Sequence, residues 1–397
     1  MNTTEGEYRP YEPGATTFID DVIFLQRHTN VIILSDEDSA AQIALAPEYQ
    51  GRIMTSTAGG DDGLSFGWIN RRLIASGERR LHINPFGGED RFWLGPEGGQ
   101  FSIFFRPGDP FDLAHWQTPA PIDWGAWDAL DVGPQHAHFH RAFSVDNYSG
   151  AAFHVEVNRH VRLLDRAETS RFLAVELPSA LTAVGFESDN RITNKGDRPW
   201  EKATGLLSIW ILGMFHPSPV TTVVMPFRAG AEDQAETIVN DAYFGKVPDD
   251  RLAIRPRRGL VFFRADGDHR GKIGLDRHRA RPVAGSYDAE YGALTIVQFT
   301  MPPDAVDYVN SMWRWQEEPY AGDVVNSYND GPAEPGAEPL GPFYELETSS
   351  PALALRPGQA GWHVHRTIHV QGPMGELDRV ANVALGASLD EIAGALK

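Results

Sequence analysis

Cysteine is absent from the 397-residue chain. Its absence excludes a disulfide framework, a thiolate metal site and a cysteine nucleophile, and it fits a reducing compartment. Basic residues are also scarce, because 35 Lys and Arg stand against 54 Asp and Glu, for a formal net charge of -19. A charge of this sign repels nucleic-acid phosphates and anionic membrane surfaces. We therefore expect neither nucleic acid nor a membrane as a partner.

Long apolar runs and targeting segments are absent as well. The sequence has no window of ~18 consecutive apolar residues, which a membrane-spanning helix would need. Its first residues, MNTTEGEYRPYEPGATTF, lack the basic and apolar regions of a secretory signal. The sequence therefore predicts a cytoplasmic protein. Composition gives no indication of its oligomeric state.

Strand-length segments dominate what is present. Apolar residues recur with period two in many β-branched and aromatic stretches, and 39 Gly and 28 Pro supply turns between them. This pattern predicts an all-β fold, a large antiparallel β-sandwich, with residues 1–397 as a single domain. The predicted strand segments are FIDDVIFL (18–25), NVIILS (30–35), QFSIFF (100–105), FHVEVNRHVRLL (153–164), LLSIWILGMF (206–215), TTVVMPF (221–227), GLVFFRA (259–265), ALTIVQFT (293–300) and GWHVHRTIHV (361–370).

Apolar residues recur with helical spacing in only a few segments. Residues 231–244 (AEDQAETIVNDAYF) predict a short helix. Residues 374–397 predict a helical C-terminal tail, in which Ser388 is a suitable N-cap. We interpret residues 1–17 as an N-terminal extension of the sandwich. Because strands rarely alternate with helices, a doubly wound parallel sheet is not expected.

A C-terminal motif and two earlier stretches resemble a known family. The motif comprises Leu-Glu-Thr at 346–348, a proline at 351 and Leu-Arg-Pro-Gly at 355–358; the earlier stretches are GRIMTS (51–56) and RITNKGDRPW (191–200). Together they resemble the galactose mutarotase-like superfamily, which includes the aldose 1-epimerases. The resemblance implies a β-supersandwich with its active cleft on one concave sheet face. It does not by itself name a reaction, since this fold carries several.

The resemblance also implies roles for individual residues. In aldose epimerases the glutamate that matches Glu347 is the general base on the anomeric hydroxyl, and a histidine protonates the ring oxygen. In this chain the strand expected to carry that histidine has Trp210 at its centre and His216 only at its far end. The identity of the general acid therefore stays open. His363 and His365 are our candidates for it, beside Glu347 as base.

Glu345 lies two positions before Glu347 and therefore shares its strand face. If the site is enclosed, mutual repulsion raises the pKa of at least one of these carboxyl groups. A solvated strand face with no function would give the same spacing.

Several loops combine carboxylates, amides, guanidinium groups and aromatic rings, which suits a sugar cleft. The densest loop spans residues 82–100 and contains five glycines. The alternatives are a structural loop held by ion pairs and tryptophans that pack in the core. The candidate ligand-binding residues are His82, Asn84, Glu89, Arg91, Trp93, Arg270, Trp313, Asn329 and Glu345.

Histidines form two stripes of period two. His136 and His138 share one face of one predicted strand, and His363 and His365 share one face of another. If both strands faced one cleft, these imidazoles could hold a divalent metal together with Glu345 or Glu347. The alternative is that they are strand residues without a ligand. We expect no cofactor to be required, with a divalent metal as the open exception.

The sequence thus predicts a carbohydrate-active protein whose partner is a small-molecule sugar. The leading hypothesis is an epimerase-like or mutarotase-like enzyme that uses acid–base chemistry near the anomeric carbon. A noncatalytic sugar-binding protein is the second, and a metal-dependent sugar isomerase, lyase or hydrolase is the third. The sequence does not specify which sugar is bound.

Overall fold

The computed structural model describes residues 16–230 and 238–397. Within these ranges the strands form a three-stranded, a ten-stranded and a five-stranded sheet, and every pairing is antiparallel. This architecture confirms the predicted all-β class. Among the described residues, no helix has the length and apolar character needed to cross a membrane.

The three sheets take their strands from all parts of the chain. The three-stranded sheet has the order β1 (Ile32–Ser35), β2 (Gln42–Ala46), β3 (Arg52–Thr57). The ten-stranded sheet has the order β11 (Leu252–Arg255), β12 (Leu260–Arg264), β10 (Thr222–Pro226), β14 (Val283–Asp288), β15 (Ala293–Phe299), β18 (Ala360–Gln371), β8 (Thr182–Asn194), β7 (Ala152–Leu164), β6 (His136–Asp146), β5 (Asp128–Val132). The five-stranded sheet has the order β13 (Gly271–Asp276), β16 (Asp323–Asn329), β17 (Tyr344–Ser349), β9 (Ser208–Phe215), β4 (Arg91–Gly95).

Helices are short, and half of them lie near the two ends of the described chain. They are α1 (Phe18–Gln26), α2 (Arg71–Ser76), α3 (Ala120–Asp123), α4 (Arg166–Leu173), α5 (Met374–Leu385) and α6 (Leu389–Gly394). The last two confirm the helical tail, and the hydroxyl of Ser388 caps α6 by accepting a hydrogen bond from the backbone N–H of Glu391. Of the helix predicted over 231–244, residues 231–237 lie outside the described part, and 238–244 contain no helix.

The first segment predicted as a strand forms helix α1 instead. Its buried residues include Phe18, Val22 and Leu25, which repeat at helical spacing. Thr17 caps the helix by accepting a hydrogen bond from the backbone N–H of Asp20. The cap and the 3.6-residue period therefore outweigh the β-branched composition of this segment.

The segment 100–105 is the second wrong strand prediction. Its residues form turns, and the Ser102 hydroxyl accepts a hydrogen bond from the backbone N–H of Phe104. Such a local side-chain bond offers the backbone an alternative to a sheet. The segment is nevertheless buried, because the Phe104 ring packs 5.4 Å from the Trp93 ring. The other predicted segments fall on strands of the three sheets.

The five-stranded sheet packs face to face on the ten-stranded sheet. Ile209 and Ile211 of β9 belong to one buried cluster with Val157 of β7 and Phe186 of β8. Helices α5 and α6 cover the opposite face of the ten-stranded sheet, where Leu377 packs with residues such as Ile368 of β18. One face of the five-stranded sheet is therefore sealed, and the other is left for the loops that connect the strands.

Candidate functional site

A pocket with a volume of about 320 Å³ lies on the face of the five-stranded sheet that points away from the ten-stranded sheet. The floor comes from all five strands of this sheet, and the walls come from loops. Floor residues are Arg91 and Trp93 of β4, Trp210, Leu212 and Met214 of β9, Glu345 and Glu347 of β17, Tyr328 of β16 and Lys272 of β13. Wall residues include His82, Glu97, Trp116, Arg270, Trp313 and Asp330.

Strand register explains why these side chains meet. Glu345 is paired with Tyr328 on one side and with Met214 on the other, and Tyr328 is in turn paired with Lys272. Directly paired residues project from the same face of a sheet. Period-two alternation then places Glu347 on that face, confirming that the two glutamates share one face.

Alternation along β17 separates this pocket from the interior. Leu346 belongs to the apolar cluster between the sheets. The Thr348 hydroxyl oxygen lies 2.9 Å from His363 Nε2 and 2.9 Å from His365 Nδ1, both on β18. One strand therefore carries carboxylates on its pocket face and intersheet contacts on the other.

Glu347 is fully buried and has two unequal oxygen atoms. Oε2 accepts hydrogen bonds from Lys272 Nζ at 2.7 Å and from the indole N–H of Trp210 at 3.0 Å. Oε1 is buried without a hydrogen-bond partner among the described residues. An unsatisfied carboxylate oxygen is costly, so this atom is a natural acceptor for a ligand hydroxyl.

Lys272 remains charged in this setting. Burial lowers the pKa of its ammonium group, but attraction to Glu347 and Glu97 outweighs burial and raises the pKa overall. Its Nζ also lies 4.7 Å from the Trp210 ring centroid and 5.2 Å from that of Tyr243. Such cation–π contacts favour the protonated form.

Glu345 forms an ion pair with Arg91, whose guanidinium carbon lies 5.0 Å from the Trp93 ring centroid. Burial raises the pKa of Glu345 to about 8, Arg91 opposes this shift, and repulsion from Glu347 adds to it. The predicted repulsion between the two glutamates is therefore present but secondary to burial.

Glu97 is the third acidic group of the pocket. Burial raises its pKa to about 7, Lys272 acts in the opposite direction and Glu347 adds to the increase. Its loop is fixed on both sides, because its backbone N–H donates to Ser311 Oγ at 3.1 Å and its carbonyl accepts from Ser102. A carboxyl group with a near-neutral pKa on a rigid loop is suited to proton exchange at physiological pH.

Indole rings line much of the pocket. Trp116 and Trp313 stack with ring centroids 5.7 Å apart, and Trp93 meets Trp210 edge to face at 5.5 Å. The indole N–H groups of Trp93 and Trp116 are buried without hydrogen-bond partners in the described chain. Flat apolar faces beside unpaired polar atoms are features of a site for a ring-shaped, hydroxylated ligand.

The structure divides the residues predicted from sequence into two groups. One group lines the pocket: Glu347, Glu345, Arg91, Trp93, His82, Arg270 and Trp313. The other group lies elsewhere: Asn84, Glu89, Asn329, His363 and His365.

Asn84, Glu89 and Asn329 support the backbone and neighbouring side chains. Asn84 donates to Asp123 at 2.6 Å, and Glu89 is fully buried and accepts from His369 at 2.7 Å. Asn329 holds a turn by accepting from the backbone N–H of Gly267 at 2.8 Å. None of the three residues lines the pocket, and each forms hydrogen bonds within the fold, while Glu89 Oε1 has no partner among the described residues. Their contact with a ligand stays a prediction.

The two histidines predicted as acids are also placed away from the pocket. His363 and His365 have no exposed surface and lie between the sheets, bonded to Thr348. Burial lowers their pKa values to about 3 and about 4, so both rings are neutral at physiological pH. A ligand on the far side of β17 is out of their reach.

The histidine stripes do not share a cleft. Through the register of β7 and β8, His363 lies on the same face of the ten-stranded sheet as Phe139, whereas His136 and His138 lie on the opposite face. The His138 ring instead stacks on His160 at 3.9 Å. Within residues 16–230 and 238–397, no group of three or more His, Cys, Asp or Glu is arranged to hold a metal.

Several pocket residues were absent from the predicted set: Glu97, Lys272, Trp210, Trp116, Tyr328 and Asp330. Period-two alternation in β9 and β13 could have identified Trp210 and Lys272, once β9 was known to pair with β17 and β13 to pair with β16 on the other side of β17. Glu97, Trp116 and Asp330 lie on loops, and their approach to the pocket depends on tertiary packing that no local pattern encodes.

Comparisons with known proteins support the fold. A family of unknown function, DUF6786, matches residues 16–396. No curated protein sequence matches the chain.

The galactose mutarotase-like fold predicted from the resemblance is confirmed by a solved structure. A candidate aldose 1-epimerase from Escherichia coli K12 is similar with a TM-score of 0.50 and 12% identity, covering 87% of this chain and 99% of that chain. The Slr1438 protein from Synechocystis sp. PCC 6803 has a TM-score of 0.49 and 14% identity, covering 87% and 96%. A galactose mutarotase-like protein from Lactobacillus casei ATCC 334 has a TM-score of 0.47 and 10% identity, covering 86% and 100%. At such identities the likeness concerns the fold alone.

Proposed function

The chain belongs to the family of unknown function DUF6786, whose name assigns no reaction, and from its pocket we propose a sugar-binding enzyme that exchanges anomers by acid–base catalysis. The observation that carries this proposal is the environment of Glu347. One of its oxygens is held by Lys272 and Trp210, while the other is unpartnered in a pocket walled by indole rings. The fold supports a carbohydrate-related function in general terms, and the pocket supplies the chemistry.

Glu347 is the proposed general base. The bonds from Lys272 and Trp210 fix the orientation of its carboxylate, and the free oxygen receives the proton of the anomeric hydroxyl. As that proton leaves, the bond between the anomeric carbon and the ring oxygen breaks and the sugar opens to its aldehyde. Closure on the other face of the carbonyl returns the proton and gives the second anomer.

Glu97 is the proposed general acid, which gives a proton to the ring oxygen as the ring opens. Trp210 stands where the family resemblance implies a histidine, and its indole N–H donates a hydrogen bond to Glu347. An indole does not release its proton at neutral pH, so another group must supply it. Because its pKa is raised to about 7, Glu97 is protonated in a large fraction of molecules at neutral pH.

Anomer exchange measured by NMR on freshly dissolved sugars tests this proposal. We expect Glu347→Gln to lower the enzymatic rate by roughly 10²- to 10⁴-fold, as for loss of a general base. Glu97→Gln removes the acid and should reduce the rate by a similar factor. Glu290→Gln, at an exposed position outside the pocket, is the matched control and should leave the rate unchanged. An unaltered rate in Glu347→Gln would remove the basis of the proposal.

A second candidate is a noncatalytic sugar-binding protein. Trp210 favours it, because this tryptophan occupies the strand position at which the resemblance implies a catalytic histidine. Sugar binding with no acceleration of anomer exchange by the unmodified protein would select this function.

A further inference from the structure

The pocket holds more basic groups than its carboxylates neutralise by direct contact. Lys272 is paired with Glu347, and Arg91 is paired with Glu345. Arg270 has no ion pair in the described part of the chain; its guanidinium carbon lies 3.8 Å from the Phe244 ring centroid. An aromatic ring holds the guanidinium in place but leaves its N–H donors free for a ligand.

The acidic neighbour of Arg270 is already engaged. Asp330 accepts a hydrogen bond from the Tyr328 hydroxyl at 2.6 Å through Oδ1 and from the backbone N–H of Gly341 at 2.9 Å through Oδ2. Both oxygens of this carboxylate therefore have partners other than Arg270. The guanidinium group of Arg270 therefore lies on the pocket wall without a carboxylate partner in the described chain.

Most of the hydrogen-bonding atoms in the lining that lack a partner in the described chain are donors. Arg91 Nε, Trp93 Nε1 and Trp116 Nε1 are buried without partners in the described chain, while Glu347 Oε1 is an unpartnered acceptor. The side chains of all four residues line the pocket. A neutral sugar offers hydroxyls that both donate and accept, whereas a carboxylate only accepts. The lining therefore favours a ligand richer in acceptors than a neutral sugar.

From these contacts we propose that the ligand is an acidic sugar, one whose ring bears a carboxylate that Arg270 binds. This inference rests on the proposed sugar-binding function and names the class of sugar. Guanidinium and carboxylate match as a planar, two-bond pair. Arg80 also lines the pocket without an ion pair in the described chain, but it is exposed, whereas Arg270 is partly buried and held against Phe244.

Electrostatics support the same ligand class. Burial raises the pKa of Glu97 to about 7 and that of Glu345 to about 8, so these groups carry less than full negative charge near neutral pH. Lys272 retains its charge, since its pKa is raised. The lining thus has four Lys and Arg residues against five acidic ones, of which Glu97 and Glu345 are partly protonated near neutral pH.

Isothermal titration of the full chain with paired sugars tests the proposal. The probes are D-galacturonate and D-glucuronate, their neutral parents D-galactose and D-glucose, and D-glucose 6-phosphate. A charge-assisted bond to Arg270 should make one uronate bind roughly tenfold or more tightly than its parent. Arg270→Gln should remove this preference, so that the uronate and its neutral parent bind with about equal affinity.

Two further variants distinguish charge from misfolding. Arg270→Lys retains the positive charge without the fork, so the preference for uronate should shrink but persist. Arg72→Gln changes the same charge at an exposed position of α2 outside the pocket lining and should change nothing. Thermal unfolding of each variant checks that the fold is intact.

The possible failures separate this inference from the proposed function. If neutral sugars bind and exchange anomers but uronates bind no more tightly, the acidic-sugar inference is wrong and the function stands. Tighter binding of the 6-phosphate than of either uronate would also overturn the inference. If none of these sugars binds, both proposals fail.

Discussion

Glu347 combines two environments in one carboxyl group. Its Oε2 atom is fixed by an ammonium and an indole N–H, whereas Oε1 lacks a partner in the described chain. The fixed atom orients the group, and the free atom is available for proton transfer. Neighbouring Glu97 differs, because burial without a direct ion pair brings its pKa to about 7. The same residue type can thus serve as base and as acid in one pocket.

The pH dependence of anomer exchange should report Glu97. A general acid must be protonated, so we expect activity to decline as pH rises through about 7, where Glu97 loses its proton. Rates measured from pH 5.5 to 9 in the unmodified protein should show this decline. In Glu97→Gln the residual rate should lack it. Persistence of the same decline in that variant would assign it to another group.

β17 shows how one strand can serve two purposes. Its even-numbered residues from Tyr344 to Thr348 face the ten-stranded sheet, and Glu345 and Glu347 face the pocket. Thr348 is the polar link in the intersheet layer, where it satisfies a ring nitrogen of both His363 and His365. These histidines were predicted as catalytic because alternation along β18 indicates that they share a polar face. It does not indicate that this face packs against the five-stranded sheet.

Thr348→Val should destabilise the protein without altering the pocket. The change retains the shape of the side chain but leaves buried nitrogens on two imidazoles unsatisfied, at a cost of about 1–3 kcal/mol in the free energy of unfolding. Urea denaturation measures this cost. Thr348→Ser keeps the hydroxyl and should lose markedly less stability. A valine variant as stable as the original would show that these bonds contribute nothing net.

Sequence patterns predicted about half of the described strands and part of the site. β7, β9, β15 and β18 each follow period-two alternation, which reflects burial of one face against a neighbouring layer. Helix α1 was missed because a β-rich composition obscured its helical period and its Thr17 cap. Glu345 was found because strand alternation places it on one face with Glu347, whereas Arg91 was found as part of a predicted polar loop although it lies on β4. Glu97 belongs to the same predicted loop but was not among the candidate residues, because its position depends on the long-range contact between its loop and Ser311.

The whole molecule buries ionisable groups in two separate layers. Arg159 and Asp90 form a fully buried ion pair at 2.7 Å in the intersheet layer, near the neutral His363 and His365. The pocket layer contains Lys272 and the acidic groups around it. Because each layer depends on one protonation pattern, the stability of the fold should vary with pH.

The contribution of His363 and His365 to stability should fall as pH decreases below about 6.5. Glu97 and Glu345, whose pKa values are raised, instead favour the folded state on the same acidification. The folded-state pKa values of His363 and His365 lie at about 3 and about 4, below the ordinary value of 6.5. Between these limits the unfolded chain binds protons that the folded chain excludes, so acid favours unfolding. At pH 5 each histidine should cost roughly 2 kcal/mol.

Thermal unfolding from pH 7.5 to 4.5 measures this effect. His363→Gln and His365→Gln remove the titrating rings, so the Tm of each variant relative to that of the unmodified protein should rise with acidification. His28→Gln, at an exposed position, is the matched control. Parallel pH profiles for all four proteins would contradict the assignment to the buried histidines.

The pairing of β17 with β9 and β16 ties assembly of the pocket to correct folding. A register shift of one residue against either neighbouring strand would turn Glu345 and Glu347 toward the apolar interior and place Leu346 in the pocket. Misaligned chains would therefore have neither a sealed interior nor a binding floor. Ligand affinity can then serve as an assay of strand alignment, so a refolded sample that regains its β content but not its affinity contains misaligned molecules.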